Sequence, residues 1–240
     1  LIGDSMDILD MILLIIIAFQ ALIGFKRGFT KELVSFLGFF VIIVLAFILK
    51  NPISKLLYEN LPFFTFGGLF KGVTALNILL YEVIAFFIVL ALLTVVFKVL
   101  LFATTVFEKL LKFTIILGIP SKILGMILGI IEGVVISFII LYILSLPMFN
   151  INTKSNMKNL VLNKTPILSS MTKDMSNAID EFNDLKDEME KENDTDKFNY
   201  DTLNILLKYK VITPESLKNL TEKGKIKTKN VDTLISLYSK

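Results

Sequence analysis

The sequence predicts an all-α membrane protein with four transmembrane helices and a small helical C-terminal tail. Three observations predict it. Long apolar stretches fill the first 147 residues. Charge is unevenly divided: residues 1–150 carry ten Lys/Arg and eight Asp/Glu, whereas the shorter segment 151–240 carries fifteen and fourteen. No single water-soluble core explains that split, but a membrane domain over 1–147 followed by a polar tail over 148–240 does. Finally, the last apolar stretch places Gly125, Gly129 and Gly133 four residues apart, a spacing used where helices pack closely in lipid.

The first span is expected over about residues 8–25, with Gln20 as its one strongly polar interior residue. At about 1.5 Å per residue it just crosses a hydrocarbon core of about 30 Å. Asp4, Asp7 and Asp10 precede it without a basic residue, so it reads as a retained span and not as a secretory signal. A tight turn through Lys26, Arg27 and Gly28 leads to a second span over about 33–49, stopped by Lys50-Asn51-Pro52. Residues 53–75 alternate apolar and polar groups around Pro62, Gly67, Gly68 and Gly72. They fit either a segment lying in the membrane interface or an ordinary extracellular loop. The third span, about 79–107, is longer than a bilayer requires and is interrupted by Lys98. Gly118-Ile119-Pro120-Ser121 starts the fourth, about 123–146, which ends at Pro147.

Lys26, Arg27 and Lys31 crowd the short first loop while only acids flank the N-terminus. The positive-inside rule then puts that loop in the cytoplasm and both termini outside the cell. In the tail, Ile179, Phe182, Leu185 and Met189 form a helical stripe within an acidic run from Asp180 to Asp196. A loop is expected around 192–199, followed by a short helix holding Leu203, Leu206 and Leu207. Thr213-Pro214-Glu215 starts another helix that Gly224 stops, and Val231, Leu234, Ile235 and Leu237 mark a last one.

Composition excludes much chemistry. The chain has no Cys and no His, which removes disulfides, thiolate nucleophiles, Ser-His-Asp triads and His- or Cys-ligated zinc. No cofactor motif is present. Lys223-Gly224-Lys225 lacks the flanking Gly and Ser/Thr of a phosphate loop and reads as a solvated turn. A net charge of +3, with bases and acids interleaved in the tail, gives no reason to expect nucleic acid. Lys outnumbers Arg 24 to 1, a usage that points to an AT-rich bacterial genome. The single arginine, Arg27, then marks a place that wants a planar, five-donor guanidinium for a lipid phosphate, a helix end or a carboxylate such as Glu32.

Three groups of residues stand out as candidates. Gly125, Gly129 and Gly133 form a packing ridge for another span of this chain or for a second copy. Glu132 follows Gly125 by seven residues, about 20° from it round the helix, and so faces protein. It is read as a neutral hydrogen-bonded carboxyl, as a partner of Lys98, or as part of a polar path, with Gln20 a further candidate neighbour. Lys98 either reaches Glu132 or snorkels to the surface. Lys26, Arg27 and Gly28 form the cytoplasmic turn, where glycine permits the reversal between spans.

The segment Gly24-Phe25-Lys26-Arg27-Gly28-Phe29 with Glu32 just after it, and the stretch Leu124-Gly125 through Gly129 to Gly133, resemble the colicin V production family of bacterial inner-membrane proteins. The likeness covers about residues 6–147. Where relatives often carry a base before the last glycine, this chain has Glu132. The resemblance implies a multi-pass protein of the bacterial cytoplasmic membrane associated with toxin (bacteriocin) production or export and with envelope homeostasis. The expected role is a non-enzymatic scaffold or accessory factor whose partners are the lipid bilayer and other envelope membrane proteins or a second copy. The rival expectation is a small oligomeric transporter or channel using Glu132 and Lys98.

Overall fold

A computed structural model of the chain describes residues 8–103, 118–146, 149, 173–192 and 194–239. Among these residues the regular structure is helical and no strand occurs. The helices are α1 (Ile8–Arg27), α2 (Phe29–Asn60), α3 (Leu76–Ala103), α4 (Gly118–Leu144), α5 (Lys173–Glu192), α6 (Thr195–Lys208), α7 (Pro214–Glu222) and α8 (Val231–Tyr238). A single 3₁₀ turn, Gly68–Phe70, lies between α2 and α3. Helices α1 to α4 are each long and apolar enough to cross a bilayer. The expected end of the third span, 104–107, lies outside the described residues.

Two helix boundaries, one in a span and one in the tail, differ clearly from those expected from the sequence. Helix α2 does not stop at Pro52 but carries it inside and continues to Asn60. A proline costs the bond to the carbonyl four residues back. Beyond it, Ser54 and Tyr58 are buried, and that packing keeps the helix going. Helix α6 likewise begins at Thr195, in the middle of the expected loop, because the Asp194 carboxylate caps it by accepting from the amides of Asp196 and Lys197 at 3.0 Å each.

The chain forms two compact units. The first contains α1, α2 as far as Ile48, α3 from Ile88, and α4. Its small core joins Leu13, Ile43, Val135, Phe138 and Leu141. Most large apolar side chains, such as Ile15, Phe19, Leu92 and Val99, point outward, as lipid-facing residues should.

The second unit contains α2 from Leu49, the segment between α2 and α3, α3 as far as Phe87, and α5–α8. The tail is therefore not a separate appendage. Phe182 and Met189 of the acidic helix, with Phe198, Leu203 and Leu206, share one core with Phe70, Val73 and Leu76. Residues 61–75 form an ordered loop packed against the tail, with Phe70, Val73 and Ala75 turned into protein and about half of the residues, Phe64 and Lys71 among them, exposed. The Asn77 amide clamps the loop, accepting from Phe64 N at 2.7 Å and donating to Phe64 O at 3.1 Å, and the Tyr81 hydroxyl donates to Pro62 O at 2.6 Å.

Candidate functional site

The turn between α1 and α2 reverses the chain at Gly28. Gly28 has φ +73° and closes α1 by donating to Gly24 O at 2.9 Å. Arg27 turns back over the start of α2, where its Nη1 donates to Glu32 Oε2 at 3.3 Å and Ser35 Oγ at 3.1 Å. Its side chain is half exposed while that of Glu32 is fully buried, so the guanidinium caps an otherwise unpaired acid from the solvent side. Lys26 is exposed and takes no part. The Ser121 hydroxyl accepts from Phe29 N at 3.0 Å, satisfying one of the open amides at the start of α2 from the first turn of α4.

The glycine ridge packs within the chain. A Cβ placed on Gly125 would stand 2.4 Å from Gly24 O, one on Gly129 would stand 2.2 Å from Gln20 O, and one on Gly133 would stand 2.7 Å from Ile17 Cα. The partner positions run backwards along α1, so α1 and α4 are antiparallel, with the backbone of α1 filling the space a side chain would need. Gly24 completes the contact, since its own Cβ would meet Gly125 O at 2.2 Å. Gly24 was not singled out as a packing residue from the sequence, although Gly28 follows it at the same four-residue spacing and also lies against Gly125.

Glu132 is buried, 4% exposed, on this same helix. Its Oε1 has no hydrogen-bond partner, and neither has Oε1 of the buried Glu32. The charges that act on Glu132 are those of Glu32 and Arg27. Lys98 is not brought to it. That lysine is exposed and lines a cavity of about 380 Å³ together with Arg27 and Lys31. Gln20 meets the ridge through its backbone, its carbonyl lying where a Gly129 side chain would be.

The second unit holds polar groups that the sequence reading passed over. Glu82, only 4% exposed, accepts from both the Lys50 ammonium and the Ser54 hydroxyl. The lysine-rich stretch is not a simple solvated turn. Lys223 Nζ donates to Glu59 O at 3.0 Å, and Lys225 Nζ donates to Tyr58 O at 2.8 Å and Leu61 O at 2.7 Å. The two ammonium groups thus satisfy carbonyls left open at the end of α2 and sit at the negative end of its dipole. Burial pushes the Lys225 ammonium below its ordinary pKa, with Lys223 adding to the effect. Asn199 joins loop and tail: its Oδ1 accepts from Thr74 N at 2.9 Å and Ala75 N at 3.1 Å, and its Nδ2 donates to Gly72 O at 3.2 Å. Among the described residues no group of acids is arranged to hold a metal ion.

The family profile described as "Colicin V production protein" matches residues 9–170. The chain belongs to the colicin V production family. That match includes both the Arg27 turn and the glycine ridge, and it runs past the 147 residues over which the likeness is visible by eye. No curated protein and no solved structure matches the chain. The chain is accordingly a multi-pass membrane protein of the colicin V production family, which is not known as a family of enzymes.

Proposed function

We propose that this protein is a non-enzymatic accessory component of toxin production or export and of envelope homeostasis, acting as a membrane platform for another envelope protein. The observation that supports this reading is the second unit. Loop and tail fold into one helical module, fastened to the end of α2 by Lys223 and Lys225 and joined loop to tail by Asn199. Its polar outer face includes the exposed acids Glu188, Glu190 and Glu192, a surface suited to a protein partner in water. In our reading the protein resides in the bacterial cytoplasmic membrane. The basic first loop is cytoplasmic, and the module and both termini are extracytoplasmic.

The test is a single cysteine at Lys218, whose side chain is 64% exposed, in this Cys-free chain. A membrane-impermeant maleimide on whole cells should label it, and a cross-linker at the same cysteine should capture an envelope protein or a second copy of the chain. Labelling only after lysis would overturn the orientation.

A second reading, a small oligomeric transporter or channel, draws support from one feature. Two buried carboxyl oxygens, on Glu32 and Glu132, lack partners inside a membrane bundle. Glu132→Gln separates the two readings. A platform keeps toxin export and envelope integrity with the amide in place, whereas a proton-coupled path loses transport.

A further inference from the structure

We propose that the cavity between α2 and α3 binds the headgroup and upper chain of one anionic glycerophospholipid. The cavity measures about 380 Å³, within the range of small-ligand sites. Three cations stand around it, Arg27, Lys31 and Lys98. The Arg27 charge is offset by Glu32, but Lys31 and Lys98 have no carboxylate partner among the described residues. The cavity therefore offers two uncompensated positive charges, which suits a phosphate diester or a pair of them.

The remaining walls choose between a lipid and a free anion. Going down α2 from Lys31, the lining residues are Val34, Ser35, Phe39 and Ile42, one face of a helix, with Thr94 and Phe97 opposite on α3. Ile42 lies eleven residues below Lys31, about 16 Å along the axis. The site is thus cationic and polar at the helix end and apolar further in, the same order of polarity as a phospholipid in a leaflet. A free phosphate needs only the top of such a cavity. Gly38 contributes to the shape, because the Phe97 ring rests on its bare Cα, where a Cβ would come 2.1 Å from the ring tip.

The experiment uses the full chain in nanodiscs of phosphatidylcholine doped with phosphatidylglycerol, released into detergent and weighed by native mass spectrometry. One phosphatidylglycerol should remain per chain, with no corresponding phosphatidylcholine. A lysine near an anionic lipid surface contributes about fivefold in affinity, so Lys31→Ala/Lys98→Ala should weaken retention about twenty-five-fold. Lys55→Ala/Lys71→Ala removes the same charge away from the cavity and should leave retention unchanged. Thr94→Trp fills the cavity with every cation in place and should also abolish retention. If it does not fold, the two lysine pairs decide alone.

Equal loss in both lysine pairs, or full retention by a folded Thr94→Trp, overturns the proposal in favour of general surface attraction. Displacement of the lipid by millimolar inorganic phosphate also overturns it, because the site would then hold a free anion.

Discussion

Gly129→Ala puts the α1–α4 contact to a quantitative test. The added methyl group would sit 2.2 Å from the Gln20 carbonyl oxygen, whereas carbon and oxygen rest no closer than about 3.3 Å. The oxygen belongs to backbone inside a helix, so no side-chain rotation relieves the overlap. The two helices must move apart by about 1 Å, and the movement is shared by Gly24 of α1 and by Gly125 and Gly133 of α4, which lie in the same helix–helix contact. A gap of that size forfeits up to about half of each pairwise attraction. At about 0.1–0.2 kcal/mol per atom pair over a few tens of pairs, the loss is about 2–3 kcal/mol. Alanine returns about 1 kcal/mol as the better helix former. The net expectation is a loss of about 1–2 kcal/mol, within the range for overpacked sites. The assay is unfolding by SDS titration in mixed micelles, with Gly118→Ala as the control. Gly118 opens the same helix and has open space where its Cβ would stand. If Gly129→Ala and Gly118→Ala unfold at the same SDS fraction, the backbone contact is not what holds α1 to α4.

Three further outcomes are expected. Asn199→Ala should destabilise the module by about 3 kcal/mol, because it leaves the Thr74 and Ala75 amides and the Gly72 carbonyl without their partner, and limited proteolysis of the tail measures this. Lys50→Met should cost about 3–5 kcal/mol by stranding the buried Glu82, whereas Lys50→Met/Glu82→Leu should recover most of it, as read by thermal unfolding in detergent. The Glu181 carboxyl is held below its ordinary range by hydrogen bonds from Lys208 at 2.6 Å and Tyr209 at 2.5 Å. A depressed folded pKa gives stability that is present above the unfolded value, about 4.3, and is lost as pH falls through the folded one. The thermal midpoint of the module should therefore drop on acidification below that value, reflecting a stability loss of under about 1 kcal/mol because the pair is largely exposed. Glu181→Gln should flatten that acid limb.

What was legible in the sequence follows from what kind of signal each feature leaves. The spans announce themselves by length and apolarity, and the ridge by its period, since three glycines four apart on one helix have one common face. Gly28 and Thr213-Pro214 are local signals, and each sits where its own backbone chemistry requires. Features joined over long sequence separations were not legible. Glu82 looks like one acid near a span end, and its meaning lies in Lys50 and Ser54, 32 and 28 residues back. Lys223 and Lys225 read as solvated charge until the open carbonyls of α2, 164 and 167 residues away, are seen beneath them. Pro52 misled for a related reason. The local rule costs about 3 kcal/mol for an interior proline, and burial of Ser54 and Tyr58 just beyond it outweighs that rule.

The family match ends at residue 170, and the helices that close over the second loop begin at Lys173. The two facts together bear on stability. Phe70, Val73 and Leu76 belong to the matched region, and each is less than a tenth exposed in a core that Phe182, Phe198, Leu203 and Leu206 of the tail share. Returning three such side chains to water costs about 1.5–3 kcal/mol each, roughly 5 kcal/mol or more together. That is comparable with the whole stability of an ordinary domain. In this chain, then, the tail is part of the fold that presents the second loop of the family's region. A chain cut after Met171 should insert its spans but leave residues 61–75 open to protease in membranes. Adding the separate segment 173–240 should restore protection. Equal protection of the cut and full chains would show that the loop holds its conformation unaided, and the tail would then be a passenger on the membrane domain.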